Sequence, residues 1–382
     1  MKHNRHIIYL AGFLFSIPIA LTSYINSSFL EGYLNKYYVS VLYVVASLIS
    51  IVGMLQMPKI LERLGNRRAT FWFSFVFFLS LLTLALVNNA TLVVLAFVLY
   101  WISASFIFAT LDIFVEDFSK SSTIGKLRGL YLSIINIAWV LSQMISGSII
   151  ARSSFSGIYL LSALFTILFG IIFVFFLHNF VDPKYKKVSI VKTIKHFIQN
   201  KNISKIYFID LTIKFFYAWM VIYTPIYLNE YLGFSWDKIG IMFTIMLIPF
   251  VVLSFPLGQL SDKIGEKKIM IIGFLIMSLS TLSIPFITEQ KVWLWALVLL
   301  CTRIGAASAE AVTESYFFKV VSEENADMIS FFRNASPVAY IVGPLLAIPV
   351  LFFIPSFKYI FFVLGAILLI AFFISLRLKD VK

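Results

Sequence analysis

The sequence has few charged residues, a single cysteine and only four histidines. Charged side chains make up 13% of the 382 residues, about half the share in an average soluble protein. Apolar residues make up 60%, which excludes a soluble enzyme and a disordered chain. The lone Cys301 cannot form a disulfide within the chain, and the histidines lack the spacing of zinc ligands. A disulfide scaffold and a metal site are therefore excluded, and an integral membrane protein is left.

The sequence instead contains long apolar runs. A helix needs roughly 20 apolar residues to cross a bilayer, and these runs lack the alternation of barrel strands. The composition thus predicts an all-α membrane protein. We expect twelve transmembrane helices, at about residues 7–28, 38–57, 69–87, 91–116, 129–151, 156–177, 205–228, 237–260, 269–287, 292–317, 329–352 and 356–376.

The basic residues predict how the spans are oriented. If the N-terminus is cytoplasmic, the inner segments carry 23 of the 31 Lys and Arg residues and the outer loops carry five. Cytoplasmic loops are enriched in these residues, so both chain ends are expected in the cytoplasm of a bacterial-type cell, with the spans in its inner (plasma) membrane. Lysines that face anionic lipid account for the net charge of +13, and no nucleic-acid partner is expected.

The connection between spans six and seven is rich in lysine. Within residues 179–204, Ile190, Ile194 and Phe197 recur at helical spacing with lysines between them. This pattern fits a helix lying on the inner leaflet, and a solvated linker is the alternative. In both cases the sequence predicts an N-terminal six-helix bundle at residues 1–178 and a C-terminal six-helix bundle at residues 205–382.

The two predicted bundles repeat one another. The loop at residues 62–68 matches the loop at residues 262–268, with an acid, a base, a glycine and a pair of bases in the same order. Two six-helix halves of this kind are a known transporter architecture. At an offset of 198 residues, the matching residues within the spans are Asp112 with Glu310, Glu116 with Glu314, and Asn136 with Asn334.

The second loop resembles the signature loop of the major facilitator superfamily. Residues 258–268 read GQLSDKIGEKK, and the family pattern is Gly, three residues, Asp, a base, any residue, Gly and further bases. The first loop departs from this pattern, with Pro58 in place of the glycine and Glu62 in place of the aspartate. The resemblance implies the major facilitator fold and transport by alternating access.

The two loops and the cytoplasmic ends of the spans are expected to form a gate. An acid there can pair with a base or with a helix N-terminus and hold the inner side closed. The alternatives are that the bases only set topology and that the acids snorkel to the interface. The gate candidates are Glu62, Gly65, Arg67, Arg68, Glu116, Arg128, Gly258, Asp262, Gly265, Lys267, Lys268, Glu314 and Arg333.

Polar residues lie on one face of several spans. In span seven Asp210, Lys214 and Tyr217 are three or four residues apart, as are polar residues of span ten. Such residues are costly in lipid, so we expect them to line a wet cavity, although packing between helices is an alternative for the aromatic ones. The candidates for contact with a solute are Tyr24, Asn26, Tyr100, Asn136, Gln143, Lys214, Tyr217, Arg303, Asn334 and Tyr340.

Three carboxyl groups within the spans are candidates for proton coupling: Asp112, Asp210 and Glu310. A carboxyl in a low-dielectric environment can be neutral or paired with a base, and a group that alternates between these states can link proton flow to transport. The alternative is a static ion pair, either Asp210 with Lys214 or Glu310 with Arg333.

The sequence therefore predicts a monomeric secondary transporter and not an enzyme, with a small organic solute and protons as its partners in the lipid bilayer. No cofactor is expected, and no phosphate-binding loop is present for ATP. Export of amphipathic or drug-like solutes is favoured, because charges of both signs in one cavity tolerate varied solutes. The alternatives are uptake of sugars or organic acids, an uncoupled facilitator and, from another class, a transporter-like sensor or a lipid flippase.

Overall fold

The protein is helical throughout the part that this computed structural model describes, namely residues 2–117, 124–175, 200–320, 332 and 334–379. These residues contain no β-strand, which confirms the predicted all-α class. Contacts divide the chain into two compact units, Met1–Lys187 with Ser235–Gly240, and Val188–Phe234 with Ile241–Lys382. The predicted bundle boundaries stay a prediction, because most of the predicted linker at 179–204 lies outside the described residues.

In the first unit, the first span is interrupted by a turn at Tyr24 and Ile25, and a short helix follows it. The last helix of this unit is long enough for two spans, and Ser154 breaks it with a φ of 59°. The helices are α1 (Lys2–Ser23), α2 (Asn26–Glu31), α3 (Lys36–Leu64), α4 (Asn66–Leu86), α5 (Ala90–Asp117) and α6 (Ile124–Phe175).

The second unit has the corresponding order of helices. Its first helix ends in a π-helical turn, Tyr227–Tyr231, and short 3-10 turns occur at Ile284–Phe286 and Phe357–Tyr359. The helices are α7 (Lys201–Ile226), α8 (Trp236–Val252), α9 (Ser254–Ile264), α10 (Glu266–Ser283), α11 (Val292–Val320), α12 (Ala335–Phe353) and α13 (Ile360–Leu376).

Ten helices among the described residues are long and apolar enough to span a membrane. One of them, Ser133–Ile172, has 40 residues, which is twice the length of a span. The predicted eighth span is divided at Leu253 into α8 and α9. Pro256 explains the break, because a proline ring clashes with the carbonyl group four residues earlier, here that of Val252. The ten helices are consistent with the twelve predicted spans.

A glycine with positive φ closes the turn after the second span of each unit. Gly65 has a φ of 75° and Gly265 has a φ of 87°, a backbone region that other residues rarely adopt. Each glycine donates its N–H to the preceding helix, and the next helix begins at the following residue. The two matching loops of the sequence therefore have the same backbone geometry.

Helix packing repeats between the two units as well. In the first unit α4 packs on α5 and α6, and α3 packs on α5. In the second unit α10 packs on α11 and α13, and α9 packs on α11. The first span of each unit also packs on the fifth, since α1 contacts α6 and α7 contacts α12. The repeat in the sequence thus corresponds to a repeat of helix neighbours.

Glycines bring α10 and α11 into backbone contact. A Cβ atom added to Gly305 would lie 2.5 Å from the carbonyl oxygen of Gly273 and 2.5 Å from the amide nitrogen of Met277. Real Cβ atoms do not approach other atoms so closely, so this position accepts only glycine. Small residues are typical of closely packed transmembrane helices.

We expect Gly305→Val to separate α10 from α11 and lower the free energy of unfolding by about 1–3 kcal/mol, the usual cost of overpacking. Gly170→Val in α6 is the control, because an added Cβ atom there has no atom within 4 Å. Apparent melting temperatures of the two variants in detergent provide the measurement. Equal melting temperatures would contradict the close contact of α10 with α11.

Candidate functional site

The polar stripe of α7 lies within the second unit. Asp210, Lys214 and Tyr217 occupy successive turns of one helix face, because their spacing follows the period of 3.6 residues. The side chain of Asp210 is 2% exposed and that of Lys214 is 20% exposed. A lysine and an aspartate are thus held in the interior of a helix bundle, where unpaired charges are costly.

Glu310 of α11 binds this stripe through both of its carboxylate oxygens. The Nζ atom of Lys214 forms an ion pair with Oε1 of Glu310. The hydroxyl group of Tyr217 donates a hydrogen bond of 2.8 Å to Oε2. Glu310 is 25% exposed, so its carboxylate is bound to α7 and is still partly accessible.

Asp210 is the second carboxylate beside the Lys214 ammonium. Its Oδ1 atom lies 3.9 Å from Nζ of Lys214, which is too long for a hydrogen bond. Oδ1 is buried and makes no hydrogen bond with any residue that the structure describes. Lys214 therefore lies between two carboxylates and binds closely to only one of them.

Arg303 lies two turns before Glu310 on α11 and is 1% exposed. Its guanidinium carbon lies 4.8 Å from the ring centre of Phe216 and 5.5 Å from that of Tyr217. Cation–π contacts of this kind stabilise a cation inside a protein. The rings of α7 thus hold the cationic group of Arg303 close to the Lys214–Glu310 pair.

Glu314, one turn beyond Glu310, also attracts Lys214 electrostatically. The cluster thus contains three acids and two bases, and its formal charge is −1 when every group is ionised. We call Asp210, Lys214, Arg303, Glu310 and Glu314 the ionic cluster. Among the residues that the structure describes, the acids of the ionic cluster thus outnumber its bases, so these residues attract positive charge more than negative charge.

The first unit contains a buried network of neutral groups. The hydroxyl groups of Thr22 and Tyr100 are 2.6 Å apart, and Nδ2 of Asn26 lies 3.4 Å from the Tyr100 hydroxyl. Tyr159 donates a hydrogen bond of 2.8 Å to Oδ1 of Asn26. Gln143 donates to the backbone carbonyl of Ala20. These bonds fix α1 and α2 against α5 and α6 without an ionised side chain.

The structure therefore unites some of the predicted site residues and separates others. Asp210, Lys214, Tyr217, Arg303 and Glu310 form one cluster, whereas Asn26, Tyr100 and Gln143 belong to the neutral network of the other unit. The remaining cavity candidates lie elsewhere: Tyr24 is buried beside Trp139 with ring centres 6.5 Å apart, and Asn136, Asn334 and Tyr340 are half-buried.

Several predicted residues cannot be placed. Only the backbone is described for Asp112, Glu116, Arg128 and Asp262, and Arg333 lies outside the described residues. The prediction that Glu310 pairs with Arg333 therefore falls outside the description, and the described partner of Glu310 is Lys214. Glu310 pairs with Lys214 because α7 lies beside α11 and the lysine side chain extends toward the Glu310 carboxylate.

The loop residues differ in exposure. Gly65, Gly258 and Gly265 are half-buried, and so are Arg67 and Lys267. Glu62, Arg68 and Lys268 are exposed. The exposed bases can face the inner lipid leaflet, as expected if these loops are cytoplasmic.

Two buried loop residues were missed by the sequence reasoning. Asn66 and Glu266 are each 0% exposed. Nδ2 of Asn66 donates a 3.0 Å hydrogen bond to the carbonyl oxygen of Thr110 on α5, and the hydroxyl group of Ser315 on α11 donates a 3.2 Å bond to Glu266. The sequence could have indicated these two residues, because each directly follows one of the two matching loop glycines.

In a comparison with known proteins, one family model matches nearly the whole chain. The sequence model of the Major Facilitator Superfamily matches residues 8–236 and 215–382. A much shorter stretch of 109 residues is 30% identical to Protein spinster homolog 1 of Xenopus tropicalis and covers 27% of this chain. The protein of Bos taurus with the same name is 29% identical over 109 residues. The matched stretch is 21% of the length of each relative.

Two solved structures share the fold at low sequence identity. A bacterial homologue of the iron transporter ferroportin in an inward-facing state has a TM-score of 0.76 at 13% identity, and the alignment covers 99% of this chain and 98% of that one. A D-xylose–proton symporter has a TM-score of 0.77 at 17% identity, with coverage of 98% and 97%. At such identities the likeness shows the fold alone.

Removing the shared cation is expected to destabilise the second unit. Lys214→Met leaves Asp210 and Glu310 without their common partner, and we expect a loss of about 2 kcal/mol of unfolding free energy. This is below the cost of about 3–5 kcal/mol for a fully buried pair, because the side chains are 20% and 25% exposed.

The double variant Lys214→Met/Glu310→Gln should recover part of this loss, because it leaves fewer unpaired charges. Lys291→Met is the control, since Lys291 pairs with Glu289 at the surface, where both side chains are 57% exposed and such pairs contribute little. Thermal unfolding in detergent measures all three. A Lys214→Met protein as stable as the Lys291→Met protein would contradict the account of the ionic cluster.

Proposed function

Because this chain belongs to the Major Facilitator Superfamily and is a multi-pass membrane transporter, we propose that it moves a small organic solute by secondary active transport. Alternating access exposes the binding site first to one side of the membrane and then to the other. Proton movement drives the cycle in this proposal, with Glu310 as the group that binds and releases the proton.

The observation that carries the proposal is that one ammonium group lies beside two carboxylates. Lys214 can compensate Glu310 or Asp210 fully, but not both, since its Nζ atom pairs with one and is 3.9 Å from the other. When Lys214 pairs with Asp210 instead, the Glu310 carboxylate is left without its cation and can take up a proton. Of the two acids, Asp210 is 2% exposed and Glu310 is 25% exposed, so Glu310 is the one accessible to a proton.

Protonation of Glu310 also has a mechanical consequence within the second unit. The carboxylate accepts bonds from both Lys214 and Tyr217 of α7, and a neutral carboxyl group attracts Lys214 much less strongly. Proton binding therefore loosens the connection between α7 and α11. A change of this kind can bias a two-state equilibrium between helix arrangements.

Export of an amphipathic or drug-like solute is the preferred direction in this proposal. The ionic cluster combines acids, bases and the aromatic rings of Phe216 and Tyr217, which suits solutes with an apolar body and a charged group. We place the transporter as a monomer in the inner (plasma) membrane of a bacterial-type cell, with both chain ends in the cytoplasm. The loops at residues 62–68 and 262–268 form part of its cytoplasmic gate.

Uptake of a sugar with a proton is the second candidate. The neutral network around Asn26, Tyr100 and Tyr159 favours this reading, because it contains the amide and hydroxyl groups that recognise sugar hydroxyls. A D-xylose–proton symporter shows that the same fold can carry out such transport. The direction of proton movement separates the two candidates, because an exporter exchanges the proton against the solute and a symporter moves both together.

Proton coupling can be measured with the purified protein in liposomes that contain an internal pH dye. A panel of lipophilic cations, sugars, organic acids and nucleosides is added outside. We expect solute-dependent pH movement with the natural protein and its loss in Glu310→Gln, which cannot exchange a proton at this position. Glu289→Gln, at an exposed surface acid, is the matched control and should retain the movement.

Two outcomes would contradict proton coupling through Glu310. Counterflow of a labelled solute without any pH movement would make the protein an uncoupled facilitator. Undiminished pH movement in Glu310→Gln would exclude Glu310 as the proton-binding group.

A further inference from the structure

Glu310 is the more exposed of the two acids beside Lys214, and the lysine that binds it has a flexible side chain. Its side chain is 25% exposed, and its Oε1 atom binds the Lys214 ammonium. A lysine stem has several rotatable bonds, so the ammonium can leave Glu310 without movement of the backbone. A positively charged group that arrives from solution can therefore compete with Lys214 for the same carboxylate.

Asp210 provides a place for the displaced ammonium. Its Oδ1 atom is buried, accepts no hydrogen bond from any described residue and lies 3.9 Å from Nζ of Lys214. A buried acceptor without a hydrogen bond is costly. A movement of the Lys214 ammonium by about one ångström brings it into hydrogen-bond range of Asp210, so little free energy is lost when Glu310 is taken by another cation.

The charge of the ionic cluster favours a cation over an anion. The five described residues of the cluster have a formal charge of −1 with all groups ionised. One monovalent cation brings this total to zero, whereas a monovalent anion brings it to −2. In a partly buried site the neutral total is strongly preferred.

Aromatic rings of α7 and α8 lie near Glu310. Tyr217 donates its hydroxyl group to Glu310, and its ring centre lies 5.9 Å from that of Phe250 on α8. The neighbouring ring of Phe216 contacts the guanidinium group of Arg303. Ring faces attract cations and also pack on apolar groups, so the surroundings suit a cation that carries an apolar or aromatic body.

We propose that the solute is an organic cation whose positively charged group binds Glu310 in place of the Lys214 ammonium, while Lys214 moves to Asp210. This inference deepens the proposed function and rests on it. A proton and the solute then occupy Glu310 in turn and exclude each other, which makes the transporter an exchanger of protons for organic cations.

The exchange depends on the charged groups that surround Glu310. On α7 these are Asp210 and Lys214, and on its own helix they are Arg303 and Glu314. Glu266 of α10 is engaged separately, since it accepts a hydrogen bond from Ser315 of α11. Because a proton and the cation compete for one carboxylate, acidification weakens binding of the cation.

Binding can be tested with three probes that share a benzene ring and differ in charge: 2-phenylethylammonium, 2-phenylethanol and 3-phenylpropionate. The purified full-length protein in lipid nanodiscs is titrated with each probe at pH 8 by calorimetry. We expect the ammonium probe to bind and the other two to bind at least about tenfold more weakly. Lowering the pH to 5 should weaken binding of the ammonium probe.

For three variants the inference predicts changes in ammonium binding that differ in direction. Misfolding would weaken binding in every variant and cannot produce this pattern. Glu310→Gln should weaken binding of the ammonium probe by about tenfold or more, because the carboxylate is lost. Lys214→Met should tighten it by about tenfold, because the internal competitor is removed. Asp210→Asn should weaken it severalfold, because Lys214 loses its alternative partner. Glu289→Gln, a surface acid of the same unit, should bind as the natural protein does.

Preferential binding of the anionic or neutral probe overturns the inference, and so does the absence of ammonium binding in both the natural protein and Lys214→Met. Weaker binding of the ammonium probe by Lys214→Met than by the natural protein also overturns the inference. These failures are distinct from failure of the proposed function. Proton-linked transport of a sugar or an acid with no ammonium binding leaves the proposed function in place, whereas ammonium binding without solute-dependent pH movement removes proton coupling and leaves the cation site.

Discussion

A lysine with two carboxylates within reach cannot neutralise both, and a carboxylate buried in a helix bundle is costly when it has no cation. Lys214 is in this position, bound to Glu310 and 3.9 Å from Asp210. The same group also connects two helices, because the bonds of Glu310 to Lys214 and Tyr217 join α11 to α7. In the proposed mechanism, a proton or cation that binds Glu310 weakens that connection, so binding can be coupled to movement of the two helices.

The two units have similar architectures and different chemistry. Each has a glycine turn followed by a buried polar residue, Asn66 in one and Glu266 in the other, that bonds to the next span. The described polar network of the first unit, around Asn26 and Tyr100, consists of neutral groups, whereas that of the second is ionic.

Much of this structure could be predicted from periodicity. The apolar runs predicted the helices, and the spacing of Asp210, Lys214 and Tyr217 predicted a common face, because both follow from the geometry of a single helix. The resemblance of the 258–268 loop to the major facilitator superfamily is confirmed by the family match over most of the chain. Contacts between helices were harder to predict. That Glu310 binds Lys214 depends on the approach of α7 to α11, which no local pattern specifies. The burial of Asn66 and Glu266, and the break before α9, likewise depend on neighbours and on Pro256.

The central claim is that Glu310 alternates between an ionised form held by a cation and a protonated form. Infrared difference spectroscopy tests it directly, because a protonated carboxyl group has a carbonyl stretching band that a carboxylate lacks. The account predicts that acidification of the purified protein produces such a band, that the band is missing in Glu310→Gln, and that 2-phenylethylammonium suppresses it in the natural protein. A band that persists unchanged in Glu310→Gln would show that the proton binds elsewhere and would contradict the account.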